Sequence, residues 1–217
     1  MSTIIPLFKR YFQQEIRNSN ALFSLGLYLL GITYLIYLLG GSNAADSTWN
    51  TLLWVVVFFA AITQSSRSFD FESGDYFYYY QTVAGPGPTI VAKLLFNGSY
   101  ITLLSGVTWL LFTFFYGNSV YEPLYFASGL LLGSLGFSVV LTLTNGIASR
   151  TKGNATLSTI LALPLLFPVL KLTSAINLQA MVGASDEDIL PMIASLGALD
   201  IAIGLLAYLL FPYLWQD

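Results

Sequence analysis

The sequence predicts an all-α, polytopic membrane protein in which an amphipathic interfacial helix precedes six transmembrane helices. Of its 217 residues, 56% are hydrophobic and only 9% charged, against about 45–50% and about 25% in soluble domains. Mean hydropathy is +0.71. The apolar residues gather into runs near the roughly 20 residues that cross a bilayer, which allows about six spans with short connections. No length remains for a sizeable soluble domain, so residues 1–217 read as one membrane domain.

The elements follow in order. Residues 3–18 place Ile4, Leu7, Phe8, Tyr11, Phe12 and Ile16 at near-helical spacing with charges between them, the pattern of a helix lying in the membrane surface. Lys9, Arg10, Glu15 and Arg17 precede the first long apolar run, and no short apolar core meets a small-residue cleavage site. The N-terminus is therefore expected to be retained rather than cleaved as a signal peptide. Residues 21–39 form the first span, closed by Gly40-Gly41. Residues 49–62 form the second, with Trp49 and Trp54 placed as interfacial anchors. A polar and aromatic connection, 64–88, leads to a third span at 90–116, and the fourth covers 124–144. The fifth begins near Leu157, and Pro164 and Pro168 mark its outer half as kinked or broken. After a solvated acidic loop, Ser185 to Asp188, the last span covers 189–213.

Positive charge orients these spans. Lys9, Arg10 and Arg17, then Arg67 with Lys93, then Arg150 and Lys152 all fall on one side, while the opposite connections carry Asp46, Glu122 and the acidic triplet. By the positive-inside rule both termini face the cytoplasm. Two charges lie within spans. Asp200 is about 16 Å into the last span, and Lys171 lies toward the outer end of the fifth. A carboxylate at that depth costs about 2.5–3.5 kcal/mol on insertion scales, so it is a functional candidate. Pairing with Lys171 would lower the cost of both, and is weighed equally against separate solutions for each.

Composition excludes several functions. A net charge of −3 argues against nucleic-acid binding. Without Cys or His there is no disulfide framework, no thiolate nucleophile, no expected metal centre and no usual axial haem ligand. No G-x-x-x-x-G-K-[ST] phosphate loop occurs, so any ATP that drives this protein binds another chain. The most informative segment begins FDFESGDYFYYYQTVAGPGP at Phe69. Glu72 and Asp75 followed by Tyr76, Phe77, Tyr79 and Tyr80 suit a short helix with an acidic start and an aromatic face, ended by the Gly85 to Pro88 turn. Such a helix fits either a groove on a partner or the lipid headgroups.

With Ser73-Gly74-Asp75, Pro86, Pro88 and Ala92-Lys93 at the third span, and LSTILALPLLFPVLKLTSA from Leu157 to Ala175 in the fifth, the chain resembles the CcmB family over essentially its whole length. This is the haem exporter B subunit of bacterial cytochrome c maturation. The aromatic run 76–80 and the glycines Gly85 and Gly87 depart from more aliphatic relatives. The resemblance implies an ABC-2-like permease in the bacterial cytoplasmic (inner) membrane, not itself an enzyme. It implies coupling of ATP hydrolysis by a cytoplasmic ATPase subunit to haem delivery or to release of a haem-loaded periplasmic chaperone. The implied partners are that ATPase, a haem-handling membrane subunit, the periplasmic haem chaperone and a second copy of the chain. Haem is handled by the complex, and this chain is expected to bind no cofactor itself. Residues 69–85 become the cytoplasmic coupling segment, with Glu72, Gly74, Asp75, Tyr76, Tyr79 and Tyr80 meeting the ATPase. Rival readings are a generic ABC-2 export permease for a lipid, glycan or drug, and an ion-coupled transporter using Asp200.

The orientation is directly testable because the background contains no Cys. Single cysteines replacing Asn43, Asn118 or Ser185 are expected to react with an impermeant thiol reagent in intact cells, whereas one at Gly153 stays unlabelled. Labelling at Gly153 from outside reverses the topology.

Overall fold

The computed structural model describes residues 4–41, 44–68, 85–149 and 155–214. Among the described residues every regular element is an α-helix: α1 Ile4–Arg17, α2 Ser19–Gly40, α3 Asp46–Ser68, α4 Pro86–Tyr116, α5 Pro123–Ser149, α6 Ala155–Val182 and α7 Asp186–Leu214. The last six are long and apolar enough to cross a membrane.

Helix α1 carries two stripes. Ile4, Leu7, Phe8, Tyr11 and Glu15 turn inward, while Ile5, Phe12 and Ile16 stay exposed. An interfacial helix needs both, one side for protein and one for lipid. Asn18 alone separates α1 from α2, and its N–H reaches the carbonyls of Gln14 and Glu15. Helix α2 ends at Gly41, whose φ of 78° brings its N–H onto the Tyr37 carbonyl.

At the start of α4, Gly85 has φ 75° and Pro86 is in the first helical turn. Its missing N–H costs nothing there, because first-turn donors have no helical acceptor anyway. Pro86 and Pro88 thus open α4 rather than merely ending the segment before it, and the third span begins earlier than the expected residue 90. Asp186, Glu187 and Asp188 are likewise not a separate loop but the first turn of α7. Carboxylates complement the partial positive charge of a helix N-terminus, and the Ser185 hydroxyl donates to Asp188 Oδ2 at 2.7 Å.

Helix α6 runs unbroken through Pro164 and Pro168, so that of the expected kink or break the break is absent. Both prolines face outward, away from α5, so their rings and freed carbonyls do not disturb the packed face. Trp49 and Trp54 also differ from expectation. They are 1% and 2% exposed, and they stack edge-on against Phe112 and Phe126, and against Phe137, respectively. These indoles belong to the core between α3, α4 and α5, where aromatic pairs add about 0.5–1.5 kcal/mol beyond burial.

The bundle has a hub. Helix α5 touches α3, α4, α6 and α7, and those four also touch one another in the order α3, α4, α7, α6 and back to α3. They close a ring around it, while α1 and α2 pack outside against α4. Five helix axes fit so closely because α5 is nearly smooth on one side. A Cβ on Gly129 would overlap Asn177 Oδ1, one on Gly133 would overlap Thr173 and lie 2.8 Å from Trp54 Cη2, and one on Gly136 would lie 2.5 Å from Asp200 Oδ1. Lipid tails are as apolar as leucine, so helices in a bilayer associate through close packing of small residues such as these.

Gly133→Ala is therefore expected to push α6 away from α5 and lower stability by about 1–3 kcal/mol. Gly106→Ala faces open space and should be neutral or slightly stabilising. Thermal unfolding in detergent compares the two; equal midpoints would remove the glycine seam from the account.

Candidate functional site

The coupling residues expected from the sequence, Glu72, Gly74, Asp75, Tyr76, Tyr79 and Tyr80, lie outside the described residues. The structure does describe the protein that frames them, since α3 ends at Ser68 and α4 begins at Pro86. At this end of the bundle, the end that carries α1, buried polar side chains join four helices.

Two linked sets are present. Gln64 on α3 donates through Nε2 to Asn97 Oδ1 on α4 at 3.4 Å, and Asn97 Nδ2 donates to Thr142 Oγ1 on α5 at 2.9 Å. One residue further along α3, Ser65 accepts from Asn145 Nδ2 on α5 at 2.8 Å. Ser158 on α6 donates to Asn145 Oδ1 and lies 3.4 Å from Thr144 Oγ1. A third tie runs from Ser138 Oγ on α5 to the Leu94 carbonyl of α4 at 3.0 Å. All these side chains are buried, so water does not compete for their bonds. An amide that bridges two helices then fixes their relative height as well as their separation.

The start of α4 is held locally and by its neighbours as well. Thr89 Oγ1 donates to the Gly85 carbonyl at 2.8 Å, and Gly87 comes within a Cβ's contact of the Tyr208 ring on α7. Lys93 is fully buried, with Nζ 5.8 Å from the centroid of the Tyr11 ring on α1. Tyr11 in turn packs on Phe96, at 5.8 Å between centroids. Ring-face attraction for an ammonium and the aromatic contact tie the surface helix to α4 within three turns of Gly85.

The two intramembrane charges are not brought together. Asp200 is at the midpoint of α7, about 21 Å from either end. It is 8% exposed and lies over Gly136 and beside Val169, with no hydrogen-bond partner for either oxygen. Lys171 is exposed on the outer face of α6. Two residues along a helix turn about 200°, so when Val169 faces the hub Lys171 faces away from it. Pro164 and Pro168 share the Lys171 face.

Sequence reasoning did not single out Gln64, Asn97, Thr142, Asn145 or Ser158. A signal was present: amides inside otherwise apolar spans tend to bond between helices. The same holds for Asn177, which is fully buried over Gly129 with both amide atoms unpaired. Among the described residues no three His, Cys, Asp or Glu side chains gather as a metal site would require.

What the arrangement can do is mechanical. Any displacement of segment 69–84 acts on α3 at Ser68 and on α4 at Gly85, and the buried amides connect both helices to α5 and α6. Asn145→Ala removes the links from α5 to Ser65 and Ser158, and is expected to cost about 1–2 kcal/mol. Hydrogen exchange of the amides around residues 65 and 158 should accelerate; unchanged exchange would mean that these bonds do not hold the helix ends.

Against known proteins, the family model described as CcmB protein matches residues 2–212. No curated relative matches the chain.

Proposed function

The chain belongs to the CcmB family, membrane subunits of the ABC-type system for haem export and cytochrome c maturation, and from that premise we propose that it turns ATP hydrolysis on a partner into movement of its membrane helices. The stroke serves haem delivery or release of the haem-loaded periplasmic chaperone. In this reading the α1 end of the bundle faces the cytoplasm of a bacterial inner membrane, as the positive charges Lys9, Arg10, Arg17, Arg67, Arg150 and Lys152 in the sequence, counted by the positive-inside rule, support. Segment 69–85 is the coupling element. Glu72, Gly74 and Asp75 begin it, and Tyr76, Tyr79 and Tyr80 enter a groove on the ATPase subunit. A separate haem-handling membrane subunit, the periplasmic chaperone and a second copy complete the assembly.

One observation carries the proposal. Both helices that flank the segment are joined by buried hydrogen bonds to the hub and to α6, through Gln64, Asn97, Thr142, Ser65, Asn145 and Ser158. A push at the surface is thereby transmitted to the helices instead of being absorbed in a slack loop. The chain's lack of a nucleotide loop and of His agrees with this division of labour, in which energy and haem are handled by other subunits.

Aromatic anchors of this kind are each worth about 2 kcal/mol or more in an interface, over tenfold in affinity. Changing both Tyr76 and Tyr80 to Ala is expected to leave the protein inserted and folded while lowering ATPase-subunit recovery and abolishing cytochrome c maturation. Glu187→Ala, at the opposite end of the bundle, should leave recovery unchanged. Normal ATPase recovery and turnover in the double tyrosine variant would reduce the segment to a lipid anchor.

A further inference from the structure

Three stripes run along α1, and their order around the helix sorts what each one meets. At about 100° per residue, Ile5, Phe12 and Ile16 fall within about 40° of one another, and they are 74%, 44% and 56% exposed. Ile4, Phe8, Tyr11 and Glu15 centre about 90° to one side of that apolar stripe, and there α1 meets the bundle through α2 and α4. Lys9, Gln13 and Arg17 centre about 80° to the other side, and all three are exposed. The cations therefore face away from the protein.

Charge is sorted in the same way. Glu15 is the one acid of α1, and at 9% exposure it belongs to the bundle side. No acid stands three or four residues from Lys9 or Arg17, so neither has an ion-pair partner along its own helix. Arg17 also suits the negative end of the helix, but Lys9, near the middle, gains nothing from it. With the apolar stripe in the acyl chains and the bundle on one flank, Lys9 and Arg17 leave along the other flank, level with the headgroups rather than up toward water. An acidic protein could meet them there only by displacing the lipid that Ile5, Phe12 and Ile16 require beside them.

We propose that this flank of α1 is a binding site for anionic phospholipid headgroups, with Lys9 and Arg17 taking the phosphates and Ile5, Phe12 and Ile16 seated in the acyl chains, so that leaflet charge helps to hold α1 on α4. The hold reaches α4 where Tyr11 packs on Phe96 and faces the Lys93 ammonium. Asn18 alone links α1 to α2, which leaves α1 little room to swing. Zwitterionic lipid supplies the same tails without net negative charge, and each cation near an anionic surface favours that surface by about fivefold. The proposal rests on the preceding reading only for which leaflet α1 meets.

The test places the full chain in nanodiscs with the same lipids in both leaflets, so its outcome does not depend on orientation. The chain has no other thiol, and a bimane on Phe12→Cys reports the lipids touching the stripe through quenching by brominated acyl chains. At equal mole fraction, brominated phosphatidylglycerol should act at Phe12 as though enriched about fivefold or more over brominated phosphatidylcholine. Bimane on Leu124→Cys, exposed at the opposite end of the bundle and two residues from Glu122, should show no such enrichment. Lys9→Gln with Arg17→Gln should bring the ratio at Phe12 close to unity, and Lys9→Arg with Arg17→Lys should keep it. Salt at about 1 M should lower it, because the Debye length falls to about 3 Å. Exchange of the α1 amides should slow severalfold when phosphatidylglycerol replaces part of the phosphatidylcholine, and the glutamine variant should lose that slowing.

Equal quenching by the two lipids, or a ratio indifferent to Lys9 and Arg17, would overturn the site, and enrichment without slower exchange would overturn the hold on α4. The same measurement on the intact complex decides between lipid and protein: quenching lost at Phe12 there means that a subunit covers the flank, which overturns the proposal. Competition by inorganic phosphate would make the flank a free-anion site and overturn it as well. The two readings fail separately, since the nanodisc result needs no ATPase and the Tyr76 and Tyr80 variant needs no anionic lipid.

Discussion

Helix α5 is enclosed by four others because Gly129, Gly133 and Gly136 leave no side chains in the way, and most of the remaining structure depends on that close approach. Inside a bilayer the hydrophobic effect does not distinguish helix from lipid, so contact area at short range must hold the bundle. The three glycines bring Asn177, Thr173, Val169, Asp200 and Trp54 directly against the α5 backbone. That proximity fixes where α6 and α7 can sit, and so decides which faces of those helices turn outward.

The two ends of the bundle are held by different chemistry. Away from α1, rings dominate: Trp49, Trp109, Phe112 and Phe126 interlock, and Tyr37 meets Tyr116 edge-on, beside one amide tie from Asn50 Nδ2 on α3 to the Ser174 carbonyl on α6 at 2.8 Å. The Glu122 N–H reaches the Ala180 carbonyl, and the Tyr125 hydroxyl donates to Asp186. At the α1 end, buried amides and hydroxyls take over. Aromatic contacts tolerate small rotations, whereas an amide bridge with donor and acceptor both engaged has one productive geometry. A force applied at the α1 end is thus met by directional bonds that resist slip, as the proposed coupling role requires.

Polar groups inside the span therefore fall into three kinds. Asn50, Gln64, Asn97 and Asn145 are bonded between helices. Asp200 and Asn177 are pressed on glycines without partners. Lys171 and the carbonyls freed by Pro164 and Pro168 are turned outward. In water such distinctions would fade, because solvent completes any missing bond. In hydrocarbon each kind needs a different physical answer, and only the first finds it within the chain itself.

By itself the sequence determined the surface helix, the six spans, the absence of Cys and His chemistry and the resemblance to the CcmB family. These rest on composition, apolar run length and the 3.6-residue period, all local properties of the chain. Facing was decided only by tertiary structure. Trp49 and Trp54 have the flanking position of interfacial anchors, yet Phe112, Phe126 and Phe137 from distant helices make a core around them. Pro164 and Pro168 threaten a helix in any linear reading, yet α6 continues because both point outward from the hub. Lys171 and Asp200 look like partners when only depth is counted, and rotation about α6 separates them. Depth in a membrane follows from residue number, but azimuth follows from which neighbours a helix meets, and those neighbours are set by glycines and amides many residues away.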